Sequence, residues 1–294
     1  MTATQTSDDR DYKETVRREW TAAAAGWRKW FEMHEAEAAG RAVTSALLER
    51  VGLQPGDVVL DVGAGYGEPG LSAAALAGRD GHVTCLDISG DMLALAEERA
   101  RAAGLSNVRF VEGDIESAEL APGSYDVVLS RAALMYASDP LATLRQLRRS
   151  LRARGRLAVA VWATPDKVAF ATPVPIMLEA LGIDAPAGGP GPFALGEPGA
   201  LGNLVAQAGF TDVATGTTVA VYELPDREAC TRWLQDVAPP ITDLIANQPA
   251  SIQDGIWDRV TDAWAPFQGN DGRVRLPCTA IWASGTNPDS YGTP

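Results

Sequence analysis

Val59-Leu60-Asp61-Val62-Gly63-Ala64-Gly65-Tyr66-Gly67-Glu68-Pro69-Gly70 is the stretch on which the reading of this chain turns. The run from Val58 to Val62 is short and apolar, as expected of a buried parallel strand. It passes straight into glycines and then into a helical pattern. Glycine admits φ > 0 and lets a ligand come close to the main chain, and the following helix points free N–H groups back at the same spot. Strand, glycine turn and helix in this order hold a nucleotide-like ligand at the carboxyl end of a sheet. Two registers fit. Gly65-x-Gly67-x-x-Gly70 matches the dinucleotide fingerprint, whereas Asp61-x-Gly63-x-Gly65-x-Gly67 sets an acid ahead of alternating glycines.

Downstream the alternation continues. Residues 82–87 predict a second strand and 90–103 its helix; 107–112, 125–130 and 155–162 predict three more strands. A helix over 139–152 opens on the start signal Asp139-Pro140. Strands alternating with helices predict an α/β fold, a doubly wound, mostly parallel sheet. Residues 52–164 form its core. In front of it, residues 1–10 are polar and expected to be disordered, and 11–51 to form an N-terminal helical cap. Trp20, Ala23, Trp27, Trp30, Phe31 and His34 recur there at three- and four-residue steps, so they share one face. A second helix is expected over 35–51.

Behind the core, residues 165–284 break the alternation. The pattern predicts a helix over 168–181 despite Pro173 and Pro175, a Gly/Pro-rich loop over 186–198, a helix over 198–208 and a strand over 213–222. Two helices follow between 225 and 266, separated by Pro239-Pro240 and Pro249, then a strand over 275–284. Two late strands around a helical excursion predict an antiparallel pair that finishes the sheet, with a C-terminal helical lid inserted between them. Residues 285–294 read as a loose tail.

Composition removes several classes of function. The 294 residues suffice for one large domain with insertions. Lys and Arg number 25 against 38 Asp and Glu, a net charge of -13. Nucleic-acid phosphates call for a basic face, so no nucleic-acid partner is expected. Cys85, Cys230 and Cys278 lie far apart, outside any CxxC or metal-ligand spacing. They read as reduced thiols of a cytoplasmic protein, with no metal site. The start of the chain has no basic segment followed by an apolar run, so no signal peptide is expected. The apolar stretches fall far short of the roughly 20 residues a membrane span needs.

Three acids choose between the two glycine registers. Asp61 ends the first strand, where a carboxylate opposes a pyrophosphate but supports a loop receiving a cationic amino-acid group. Asp87 ends the second, where a carboxylate accepts both ribose hydroxyls of either ligand. Asp114, in Gly113-Asp114-Ile115 after the third, can accept a hydrogen bond from an adenine amino group. The chain also lacks a second βαβαβ half for a nicotinamide ribose. The cofactor these features favour is S-adenosylmethionine.

At this point Asp61-Val62-Gly63-Ala64-Gly65-Tyr66-Gly67, Leu86-Asp87-Ile88-Ser89-x-x-Met92-Leu93, Gly113-Asp114 and Tyr125-Asp126-Val127-Val128 resemble the successive motifs of class I S-adenosylmethionine-dependent methyltransferases. The likeness covers residues 57–162 and is nearest to the ubiquinone/menaquinone-biosynthesis C-methyltransferase group. Ala25-Gly26-Trp27-x-x-Trp30, Gly67-Glu68-Pro69 and Leu276-Pro277 are similar, more weakly, to bacterial small-molecule methyltransferases. The resemblance implies a seven-stranded sheet whose last strand is antiparallel and lies beside the fifth. It also implies that Gly63, Gly65 and Gly67 line the methionine part of the cofactor and that Asp87 binds the ribose diol. Ile88 and Met92 would flank the adenine, Asp114 and Ile115 fix its edge, and Ser130 and Arg131 lie under the sulfonium near the substrate. Tyr66 stands where most relatives have a small or hydrophobic residue; packing on the cofactor and filling space both stay open.

Methyl transfer from a sulfonium is an in-line displacement, and much of its rate comes from holding the acceptor at near-attack distance in a dry pocket. A lid is therefore expected more than a triad. The N-terminal aromatic face can supply it, with Trp27 suited to a sulfonium; docking of the helix on the core is the plainer alternative. Trp233, Ile241, Ile256 and Trp264 offer a second lid, and there too packing on the core is the plainer reading. Should a base be used, His34 is the candidate. Tyr136 would orient the acceptor, and Arg131 completes the catalytic candidates. The scarcity of bases leans towards C-methylation, or O-methylation of an already acidic group, on a small hydrophobic, aromatic or prenylated metabolite of specialised metabolism. A relative that binds the cofactor but performs another reaction, such as a cyclisation, is the rival reading, with an N-methyltransferase beside it. Assembly into a homo-oligomer stays open.

Overall fold

A computed structural model describes residues 7–36, 38–184 and 188–288, with side chains described from Asp9 onward except at 31–38 and 239–240. In chain order the elements are α1 (Ser7–Ala36), α2 (Ala38–Val51), β1 (Val58–Val62), α3 (Gly70–Ala77), β2 (His82–Asp87), α4 (Gly90–Ala102), β3 (Val108–Glu112), β4 (Tyr125–Arg131), α5 (Pro140–Ser150) and β5 (Leu151–Trp162). They continue as α6 (Val174–Leu181), α7 (Ala200–Gln207), β6 (Thr211–Leu224), α8 (Arg227–Val237), α9 (Pro239–Ala246), α10 (Ala250–Ala263) and β7 (Val274–Thr286).

The strands form one seven-stranded sheet in the order β3-β2-β1-β4-β5-β7-β6. The pairs from β3 across to β5 are all parallel, and β7 runs antiparallel to both β5 and β6. The mostly parallel, doubly wound sheet and the inserted antiparallel strand are as expected. The chain leaves β1 in one direction to build β2 and β3, and resumes on the other side with β4. That switch opens a crevice at the carboxyl ends of β1 and β4, where ligands bind in open α/β sheets.

Local chemistry accounts for the elements around the crevice. The central strands read as apolar runs because helices cover both their faces: Val59, Leu60, Val127, Val128 and Leu129 have no measurable exposure (0%). Ser89 caps α4 by accepting the Met92 N–H at 3.3 Å, with Asp91 in the first turn and Arg99 and Arg101 in the last, matching the helix dipole. Asp139 caps α5 through the Ala142 N–H at 2.8 Å, and Pro140 follows at the first helical position. Asp226 does the same for α8.

Four boundaries differ from expectation. Helix α1 begins at Ser7, inside the stretch expected to be disordered, since Asp9 and Asp11 near its amino end suit the helix dipole; residues 1–6 lie outside the described residues. Residues 165–171 form short 3-10 turns, and α6 starts only at Val174, because the two prolines fit a helix only in its first turn. The excursion before β7 holds three helices, α8, α9 and α10, where two were expected; Pro239-Pro240 starts α9. At the carboxyl end, β7 runs on to Thr286 and draws the first two residues of the expected tail into the sheet; residues 289–294 lie outside the described residues. No described helix is long and apolar enough to cross a membrane.

Candidate cofactor and acceptor cleft

The glycine turn has the backbone its sequence calls for. Gly63, Gly65 and Gly67 have φ of 65°, 52° and 107°, the left-handed region that costs any other residue. A Cβ on Gly63 would lie 2.1 Å from Ala133 Cβ, so the turn also needs glycine for close approach. The Gly63 and Ala64 N–H groups both donate to Leu86 O, at 2.8 and 3.1 Å. Gly65 N–H donates to Asp87 Oδ2 at 2.8 Å, and Ser89 N–H to Asp87 Oδ1 at 2.9 Å. The β2 acid thus holds the β1 turn, and burial raises its carboxyl pKa against the pull of those N–H groups.

Gly70, the last glycine of the dinucleotide register, belongs to α3. Its N–H donates to Asp61 Oδ2 at 2.8 Å, and a Cβ there would come within 2.6 Å of Cys85 Sγ. It is a packing glycine under the sheet. Asp61 is wholly buried, and burial pushes its carboxyl up to about 7, with the Gly70 N–H and the Arg131 guanidinium acting in the opposite sense. Its Oδ1 has no protein partner.

The crevice opens into a cleft of about 1410 Å³, counting its mouth. Of the residues singled out from sequence, Trp27, Gly63, Gly65, Asp87, Ile88, Met92, Asp114, Ile115, Ser130, Arg131 and Tyr136 all line it. Asp61 lies beneath the turn, and Gly67 faces Leu71 and Ala96. Ser130 Oγ is buried in the wall without a protein partner. A recess with an acid at one strand end, a second acid by β3 and an unpaired hydroxyl after β4 has the polar groups a nucleoside bearing an amino acid needs. His34 belongs to α1, but its side chain is outside the described residues.

Two catalytic candidates also make contacts within the cleft wall. Arg131 Nη1 donates to Gly40 O and Thr44 Oγ1, each at 3.0 Å, and Nη2 donates to Tyr66 Oη at 2.6 Å. It braces α2 against the turn. Burial raises the Tyr136 phenol pKa, with Tyr12 and Glu19 adding to the rise, so it stays neutral. Its ring meets Trp20 edge-on at 5.7 Å.

Helix α1 lies across the cleft as a strap fastened at both ends. Lys13 pairs with Glu116 and stands 3.7 Å from Asp114, and Tyr12 Oη donates to Tyr136 O at 3.1 Å. Arg17 Nε reaches Ile88 O at 3.3 Å. At the far end Lys29 Nζ and Trp30 Nε1 both donate to Asp236 Oδ2 at 2.6 Å. Between the fastenings Trp27 stacks on Tyr66, 5.3 Å apart and 18° from parallel.

Sequence reasoning missed the other end of the cleft, where Val43 of α2, Trp162 of β5, Tyr222 of β6 and Ala280 of β7 form the wall. Trp162 and Tyr222 sit at or near the carboxyl ends of their strands, a position that could have flagged them. Lys13 gave no signal; its role exists only once α1 meets the loop after β3. Among the described residues, no cluster of His, Cys, Asp and Glu could hold a metal ion.

Comparison with known proteins agrees with this geometry. Residues 53–172 match the family model of a methyltransferase domain. An uncharacterised protein of Mycobacterium tuberculosis is 37% identical over 120 residues, 41% of this chain and 42% of its own. The ubiquinone/menaquinone biosynthesis C-methyltransferase of Rhizobium leguminosarum is 36% identical over 126 residues, 42% of this chain and 48% of its own. The matches therefore span less than half the length of these curated relatives. Among solved structures, Haemonchus contortus phosphoethanolamine N-methyltransferase 2 in complex with S-adenosyl-L-methionine aligns over 98% of this chain and 61% of its own, with a TM-score of 0.57 and 17% identity. The [4+2]-cyclase SpnF aligns over 85% of this chain and 81% of its own, at 0.52 and 20%. At such identities these structures speak for the fold. Strand order, glycine turn and sequence match agree: residues 53–172 are similar to a methyltransferase domain, and the sheet around them has the fold of the solved S-adenosylmethionine-dependent methyltransferases.

Proposed function

We propose that the protein methylates a small, apolar or aromatic acceptor with S-adenosylmethionine as donor. The observation that carries the reading is the turn at Gly63, Gly65 and Gly67, tied to the buried Asp87 at the floor of the cleft. S-adenosylmethionine supplies a methyl group already activated on a sulfonium. Gly63 and Gly65 would seat its amino-acid end, with the buried Asp61 carboxyl below the turn. Asp87 has lone pairs left for ribose hydroxyls; Ile88 and Met92 would flank the adenine, and Asp114 with Ile115 take its edge. Trp27 and Ser130 stand where the sulfonium would come.

The acceptor would lie between Trp20, Trp162, Tyr222 and Val43. Arg131 is occupied by Thr44 and Tyr66, and the Tyr136 phenol stays neutral. Neither is set up as a base, and with His34 as the sole remaining candidate the reading favours an acceptor that brings its own nucleophilicity: an electron-rich carbon or an already ionised oxygen. The strap α1 keeps water from the reacting atoms, which strengthens every electrostatic contact inside. A net charge of -13 disfavours nucleic-acid substrates and suits a soluble metabolite in the cytoplasm.

The deciding experiment incubates the chain with isotopically methyl-labelled S-adenosylmethionine and a panel of phenols, quinols and electron-rich alkenes. Label is expected in an acceptor, with S-adenosylhomocysteine formed one for one. An acceptor converted without gain of label would mark the chain as a cofactor-binding relative of another activity.

A further inference from the structure

Tyr66 is tied to more of the molecule than a residue in a glycine turn needs to be. It lies between Gly65 and Gly67, and its side chain is buried. The Trp27 indole of α1 stacks on its ring at 5.3 Å. The guanidinium carbons of Arg99 and Arg131 stand 5.1 and 5.4 Å from the ring centroid. Its hydroxyl accepts from Arg131 Nη2 and its carbonyl from Arg99 Nη1, both at 2.6 Å. Arg131 in turn holds Gly40 and Thr44 of α2. Strap and α4 meet on one side chain, with α2 tied to it through Arg131, and the residue before it donates its N–H to Asp87.

We infer that Tyr66 is a positioning residue which couples seating of the α1 strap to the geometry of the turn that binds the cofactor. The inference rests on the cofactor reading above and adds to it how the cap registers the state of the site. Trp27 lines the cleft, so the stack puts the strap's aromatic face over the ligand only when the turn holds its binding conformation. The contact is of the planar kind, 18° from parallel, which aromatic pairs favour when offset. Its contribution to ligand affinity is expected at about 3- to 10-fold in Kd. A residue that merely filled space would stabilise the fold without linking Trp27 to ligand affinity.

The test is a double-mutant cycle read in ligand affinity. S-adenosylhomocysteine and S-adenosylmethionine are titrated calorimetrically into the full chain, its Tyr66→Leu and Trp27→Leu variants, the double variant, and Tyr66→Phe. Each leucine variant is expected to lose about 3- to 10-fold in Kd, the double variant to be no weaker than the weaker single one, and Tyr66→Phe to stay within about 3-fold of wild type. Losses that multiply in the double variant, or leucine variants that bind as wild type does, overturn the inference and leave the cofactor reading standing. A folded wild-type chain that takes up neither ligand removes both. Should circular dichroism show a leucine variant unfolded, the cycle is run with Tyr66→Phe and Trp27→Phe. Coupling of at least about 2-fold then supports the inference, and strict multiplication overturns it.

Discussion

The two ends of the cleft are built on different principles. The end at β1, β2 and β3 uses backbone: three glycines at positive φ, N–H groups turned onto Asp87, and an acid at or just after each strand end. The end at β5, β6 and β7 uses side chains from distant parts of the chain, with Val43 of α2 facing Trp162, Tyr222 and Ala280 across the wall. The first recognises a ligand whose shape does not vary, so a short unbroken motif suffices. The residues of the second answer to no motif, and the proposed acceptor would meet them.

The comparison is tested most severely at Asp87. Asp87→Ala removes the acceptor of two backbone N–H groups along with the candidate ribose ligand. Calorimetry should find S-adenosylmethionine affinity down by at least about 100-fold. Next is Gly63→Ala, which meets both a positive φ and Ala133 Cβ at 2.1 Å; denaturant melts should register a loss of about 2–4 kcal/mol.

A smaller effect follows pH. Burial raises the Asp61 carboxyl from 3.8 to about 7 in the folded chain. Between these values the folded state binds a proton that the unfolded state has released, so this group makes the ligand-free protein less stable as pH rises from about 4 to about 7. A cationic ligand favours the ionised form, and its affinity should weaken as pH falls through about 7, by up to tenfold per unit. Titrations from pH 6 to 8.5 check the slope, and Asp61→Asn should flatten it. Least affected in cofactor binding is Trp162→Ala: Kd for S-adenosylmethionine should move by less than about 2-fold while the pattern of acceptors accepted changes, because the ring lines only the acceptor end. A large loss of cofactor affinity in this variant would erase the distinction between the two ends.

Legibility in the sequence follows the same division. The strand from Val58 to Val62 and its glycines were readable because an apolar run and positive-φ positions are local properties of the chain. Asp61 in front of the glycines favoured one register, and the contact of Gly70 with Asp61 and Cys85 supplies the physical reason. Arg131 and Tyr136 line the cleft as expected, but their contacts were not readable. What occupies a guanidinium depends on α2 and Tyr66, and what keeps a phenol neutral depends on burial under α1. The periodic aromatic face of α1 was visible; that Trp27 stacks on Tyr66 was not.

The sequence by itself determined the parallel core, the turn and the acids at its strand ends, since each follows from periodicity, backbone freedom or charge within a few neighbouring residues. Tertiary structure alone decided that Lys13 meets Glu116, that Asp236 receives Lys29 and Trp30, and that β5, β6 and β7 contribute a wall to the cleft. Those contacts join residues dozens to hundreds of positions apart, and no local pattern encodes a pairing that exists only once helices and sheet have packed.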